Sequence, residues 1–140
     1  MGTRSLTVVS ASGKSVPCVV MYRQFYGYPE GHGRELAEFL APLRITNGIS
    51  GDSKNTANGA ECLAAQIVAH FKKDVGGIYL VPFNPDGQDN DQEYEYYVVA
   101  DVEDGSITIK VVAGWRGKKT IFEGDAAAFL ETIAKGHTDA

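Results

Sequence analysis

The chain has 140 residues, with 13 Lys and Arg against 18 Asp and Glu, a formal charge of −5. That balance excludes a generally basic nucleic-acid coat, and an apolar share of 44% with 22% charged residues excludes disorder for most of the chain. A domain of this size buries roughly 68–70% of its unfolded surface without disulfide or metal staples.

The predicted elements follow in chain order. Leu6–Ser10 and Val16–Arg23 are Val-rich and flank Ser12-Gly13-Lys14, which predicts a hairpin. Leu36, Phe39, Leu40 and Leu43 recur at helical spacing behind Pro29, so a first helix is expected over Glu30–Leu43. The polar stretch Thr46–Asn58 reads as a loop. A second helix carries Leu63, Ile67 and Phe71 on one stripe, with Gly76-Gly77 as its stop signal. Ile78–Val81 reads as a short strand, and Phe83–Gln92 is too dense in Pro, Gly, Asn and Asp for a regular element. Tyr94–Asp101 and Ser106–Ala113 form a hairpin around Glu103-Asp104-Gly105, Thr120–Phe122 adds a strand, and Asp125 caps a last helix carrying Ala128, Phe129 and Ile133. This segregated order predicts one α+β domain over residues 1–136, a mainly antiparallel sheet of about five strands with two to three helices on one face, and a frayed tail at 137–140.

No segment approaches the ~18 continuous apolar residues of a membrane span, and no basic region precedes an apolar core at the N-terminus, so a cytoplasmic protein is expected. Cys18 and Cys62 have no partner ligands at metal-finger spacing and read as buried thiols of a reducing cell. The three histidines show no ligand spacing, and the acidic loop Asp86–Glu93 has no glycine at the sixth place of an EF-hand calcium loop, so neither a metal nor a cofactor is expected.

Charge is unevenly spread. Asn84–Gly105 holds eight acidic residues and no Lys or Arg, leaving the remainder at −5 + 8 = +3. The most distinctive stretch, Tyr22 to Arg34, joins a strand end to a helix start, where backbone N–H groups lack intrahelical partners. Gly31 and Gly33 leave that backbone uncovered for a phosphate; Arg23, His32 and Arg34 offer charge-assisted bonds, and Tyr22 and Tyr28 offer faces for a base. The same glycines also read as packing residues, and Glu30 with Arg34 as an i,i+4 pair. Trp115 and Arg116, in a basic turn with Lys118 and Lys119, are the other candidate contacts. No nucleophile with a paired base is evident; His32 and Glu30 are the local candidates for hydrolysis, and their i,i+2 spacing splays them apart.

Tyr22-Arg23, Gly27-Tyr28-Pro29-Glu30-Gly31-His32-Gly33, Gly59 before Cys62-Leu63-Ala64-Ala65-Gln66, Gly77-Ile78-Tyr79-Leu80 and Tyr94-Glu95-Tyr96 together resemble a family of small uncharacterised bacteriophage and prophage proteins, over Val16 to Ile133. The resemblance implies an accessory protein of the host-cell cytosol with no assigned catalytic residues. The expectation is a non-enzymatic protein that sequesters a small phosphate-bearing, nucleotide-like ligand, a nucleotide immune signal, in an anti-defence role. The alternatives are an inhibitor of a host defence protein, acting through the acidic region as a charge mimic, and a small hydrolase using His32 and Glu30. Nucleic acid is not the expected partner; exposed strand edges make a homo-oligomer an option.

Overall fold

β-Branched and aromatic residues are concentrated in the extended segments. In the structure, a computed structural model describing residues 2–48, 54–114 and 118–136, they form eight strands: β1 (Ser5–Ala11), β2 (Val19–Arg23), β3 (Arg44–Thr46), β4 (Thr56–Asn58), β5 (Ile78–Leu80), β6 (Tyr94–Ala100), β7 (Ile107–Ala113) and β8 (Lys119–Asp125). Six build one sheet in the order β5-β2-β1-β6-β7-β8. All its neighbours are antiparallel except β1 and β6, which run parallel from Ser5 opposite Tyr94 to Ala11 opposite Ala100. The fold is therefore α+β with a mainly antiparallel sheet, one strand wider than expected. The further pair, β3 and β4, brackets the segment read as a loop; only Ile45 and Ala57 are buried there, too few for alternation to show.

Both predicted hairpins form. Gly105 lies in the left-handed region at φ +77, and its N–H donates to the Asp101 carbonyl at 2.8 Å, closing the β6–β7 turn. Three helices, α1 (Arg34–Leu40), α2 (Gly59–Phe71) and α3 (Ala126–Ala134), cover one face of the sheet. Their Leu36, Leu40, Leu63, Ile67 and Phe129 close over Val9, Met21, Tyr96, Val98 and Ile109. Asp125 caps α3 as expected, its Oδ1 accepting from the Ala128 N–H at 2.8 Å.

The first helix departs from expectation at both ends. Pro29–Gly33 forms a wide π-type turn, in which the Gly33 and Arg34 amides reach back five residues to the Tyr28 and Pro29 carbonyls. At the other end α1 stops at Leu40, because Pro42 removes a donor and crowds the turn before it.

On the opposite face a smaller cluster of Leu6, Val8 and Val20 is flanked by Tyr22, Val81 and Tyr97. Residues 81–93 carry the chain from β5 past β2 and β1 to β6. Their acidic and amide side chains are spent on turns: Asn84 Oδ1 accepts from the Asp86 N–H and Asp89 Oδ1 from the Asp91 N–H. Glu95, buried on this face, accepts from Gln92 Nε2 (2.8 Å), Tyr97 Oη (2.6 Å) and Lys118 Nζ (2.7 Å). Burial raises its pKa, but these donors and the Lys118 charge outweigh it and hold the group below the usual carboxylate range.

Neither cysteine is a core thiol, contrary to expectation. Cys18 precedes β2 and is exposed, with partial burial and the Glu61 charge raising its thiol pKa; Cys62 is half-buried, and its Sγ donates to Gln66.

Candidate functional site

Strand alternation decides which residues of the Tyr22–Arg34 stretch meet. Successive side chains of β2 point to opposite faces, so Arg23 turns toward the helices while Tyr22 packs on the other face with Tyr79, ring centroids 6.1 Å apart. Tyr22 and Arg23 therefore do not converge on one ligand, which corrects that part of the expected site.

Arg23 is held from several sides. Its Nη1 donates to Glu35 Oε1 at 2.5 Å and to His32 Nδ1 at 3.1 Å. A guanidinium has only donors, so Nδ1 of His32 carries the lone pair and Nε2–H donates to Thr7 Oγ1, 2.7 Å away. The His32 ring is wholly buried, 4.7 Å from Phe71 and 5.0 Å from Tyr96. Burial first, and the Arg23 charge second, push its pKa down to about 3. The imidazole is thus a neutral strut, with Arg23 on one nitrogen and Thr7 on the other.

Above this strut the Arg23 Cζ lies 5.6 Å from the Phe71 ring centroid and 5.9 Å from that of Tyr26, within cation–π range of both. Its Nε and Nη2 have no hydrogen-bond partner among the described residues. The side chain, 16% exposed, lines a depression of about 370 Å³ together with Phe25, Tyr26, Phe71, Lys73, Asp74 and the Gly76-Gly77 segment. Both glycines take left-handed backbone, φ +80 and +74, which turns the chain back from α2 into β5; the Gly77 carbonyl accepts from the Gln24 N–H, beside Arg23.

The helix start itself is closed. The N–H groups of Gly31 and Gly33 donate to the Tyr28 carbonyl, that of His32 to the Tyr26 carbonyl at 2.6 Å, and that of Arg34 to Gly31 and Pro29. No amide from Gly31 to Arg34 is left for a phosphate, because the π-type turn folds the two tyrosine carbonyls over the start, and His32, kept neutral by its burial and by Arg23, supplies no charge to one. The glycines serve packing: a Cβ on Gly31 would lie 2.6 Å from the Tyr26 carbonyl, and one on Gly33 3.0 Å from Phe129 and 3.1 Å from Tyr96. Gly33→Ala is expected to destabilise the fold by about 1–3 kcal/mol in urea unfolding, as over-packing does; a change within about 0.3 kcal/mol would contradict this account.

Arg34 is exposed and does not line the depression. Tyr28, 37% exposed, packs its edge against Tyr26 with centroids 6.4 Å apart. Trp115 and Arg116 lie outside the described residues. Sequence reading missed Glu35, Phe71, Lys73 and the double glycine as site residues; the last two carried a visible signal, a basic pair running into consecutive glycines, which was read only as a helix stop. With both His32 nitrogens engaged and the ring buried, the geometry gives His32 no access to a substrate as a general base.

Tyr26 adds a mark of strain. It is 60% exposed yet takes φ +63, a conformation bulky residues rarely adopt and which costs of order 1–2 kcal/mol. Tyr26→Gly is expected to exceed Tyr26→Ala in stability by about 1 kcal/mol, since both lose the ring and only glycine relieves the backbone. Equal melting temperatures for the two would show that the backbone is unstrained.

No protein-family model matches the chain, and no curated protein or solved structure is detectably similar to it. No helix among the described residues is long and apolar enough to cross a membrane, and those residues hold no cluster of metal-ligating side chains.

Proposed function

We propose that the protein is a non-enzymatic binding protein that captures a small phosphate-bearing, nucleotide-like ligand, and that the Arg23 depression receives it. The observation that carries this reading is the ordered guanidinium: Glu35 and His32 fix Nη1, the Phe71 and Tyr26 rings lie within cation–π range, and Nε and Nη2 remain available. Such a fork matches two oxygens of a phosphate, and because it is already ordered, little side-chain freedom is lost on binding. Phe25 and Tyr26, both exposed at the rim, offer faces on which a base stacks. Lys73 adds a second cation.

On this proposal the protein is an accessory protein of the phage and prophage kind, and capture without turnover withdraws a nucleotide immune signal from the host cytosol, one ligand per site. The test is a thermal-shift screen with nucleotides on the whole chain. A ligand at 100 times its dissociation constant stabilises by about 2.7 kcal/mol, and Arg23→Met, which keeps an apolar stem, is expected to remove the shift. Equal shifts in Arg23→Met and the parent protein, or no shift with any nucleotide, would overturn the reading.

A further inference from the structure

Resting on the capture reading, we infer that the Arg23 depression selects a phosphodiester, carrying one negative charge, over a phosphomonoester with two. Charge at the site is balanced before any ligand enters. Among the described residues, the charged groups lining the depression are Arg23, Lys73 and Asp74, and Glu35 is paired with Arg23 from outside it. Two cations and two carboxylates sum to zero; the next cation, Lys72, lines a different depression, its Nζ donating to the Gly76 and Ile78 carbonyls. His32, the remaining titratable group in hydrogen-bond contact with Arg23, adds nothing, since its Nδ1 lone pair is already committed to the guanidinium.

The fork offers one edge. Glu35 and His32 occupy Nη1, so what is left is the Nε and Nη2 side, suited to two oxygens of one anionic group. Arg23 is mostly withdrawn from water, where a second negative charge is screened less than on an open surface. A phosphomonoester carries about −1.5 to −2 at pH 7, with its second ionisation near pH 6. Its second charge meets Glu35 and Asp74 with no further cation lining the depression to offset it. A diester leaves the local sum at about −1, as a single guanidinium fork accommodates.

The test compares adenosine 5′-monophosphate with its methyl ester, which differ by one methyl group and one charge, and with 3′,5′-cyclic adenosine monophosphate, by isothermal titration on the full chain. At pH 8 both diesters are expected to bind about tenfold or more tighter than the monoester. At pH 5 the monoester carries a single charge, and its gap to the methyl ester is expected to close to within about threefold. The methyl ester keeps its charge throughout, so the ratio of the two cancels any change in the protein. Glu35→Gln, at a half-exposed side chain, removes one of the opposing carboxylates and is expected to bring the monoester to within about threefold of its ester at pH 8.

A monoester that binds as tightly as its methyl ester at pH 8, or a preference unmoved by Glu35→Gln, overturns the selection while the capture reading stands. Absence of binding by all three nucleotides, or equal binding to Arg23→Met with its fold verified by circular dichroism, overturns the capture reading and this inference with it.

Discussion

Lowering the pH from 7 to 5 is expected to reduce unfolding stability by about 2 kcal/mol through His32 alone. Folding buries the ring as the neutral form and lowers its pKa from 6.5 to about 3. Above pH 6.5 the ring is neutral whether the chain is folded or not, and no stability is at stake. Below it the unfolded chain takes up a proton that the folded one refuses, so stability falls as pH drops from 6.5 and levels off near 3. Glu95 acts in the same direction, but its contribution is lost only as pH falls below the ordinary carboxylate range. The window between pH 6.5 and 5 therefore isolates His32. Urea unfolding of the parent protein and His32→Gln across that window tests it. The variant is less stable at neutral pH, because Thr7 and Arg23 lose their strut, but its profile is flatter. Parallel profiles for the two proteins would contradict the buried neutral ring.

Phe129→Ala is expected to destabilise the fold by about 3–5 kcal/mol, the range for removing a wholly buried aromatic ring. The ring projects from α3 against Phe122, with centroids 4.8 Å apart, and reaches the turn at Gly33, where a Cβ would stand 3.0 Å from it. It therefore joins the last helix to the turn that holds His32. Equilibrium unfolding in urea measures the loss, with Ile133→Val as a comparison at about 0.5–1.5 kcal/mol. A loss under about 1 kcal/mol for Phe129→Ala would mean that α3 does not close the core.

Much of this fold is legible in the chain because its signals are local. Two Val-rich segments around a glycine turn give β1–β2; Asp-Gly gives β6–β7; the Leu63, Ile67 and Phe71 stripe gives α2; Asp125 gives the α3 cap. Pro42 was also a legible stop for the first helix, and periodicity through Leu43 obscured it. The parallel pairing of β1 with β6 joins residues 89 apart, as Ser5 with Tyr94, and no local pattern encodes it. The site divides in the same way. Arg23 is visible as a basic residue at a strand end, but its partners come from three other elements: His32 in the turn, Glu35 on α1 and Phe71 on α2. Reading the Gly31–Gly33 amides as open followed from helix geometry, in which the first donors are free; the wider π-type turn satisfies them internally. Tyr22 was misplaced by sequence proximity, since neighbours on a strand face apart.

The account depends on one group, the Arg23 guanidinium, being fixed by protein on its Nη1 side and open to ligand on the other. The direct measurement is the ¹⁵N–¹H signal of Arg23 Nε, assigned by its loss in Arg23→Lys and followed on adding 3′,5′-cyclic adenosine monophosphate. The signal is expected to be sharp in the free protein and to move progressively to saturation as the phosphate oxygens accept from it. A signal that stays in place while the nucleotide binds elsewhere, or one averaged to the free-arginine position before any ligand is added, would show that this guanidinium is not the ordered receptor of the phosphate.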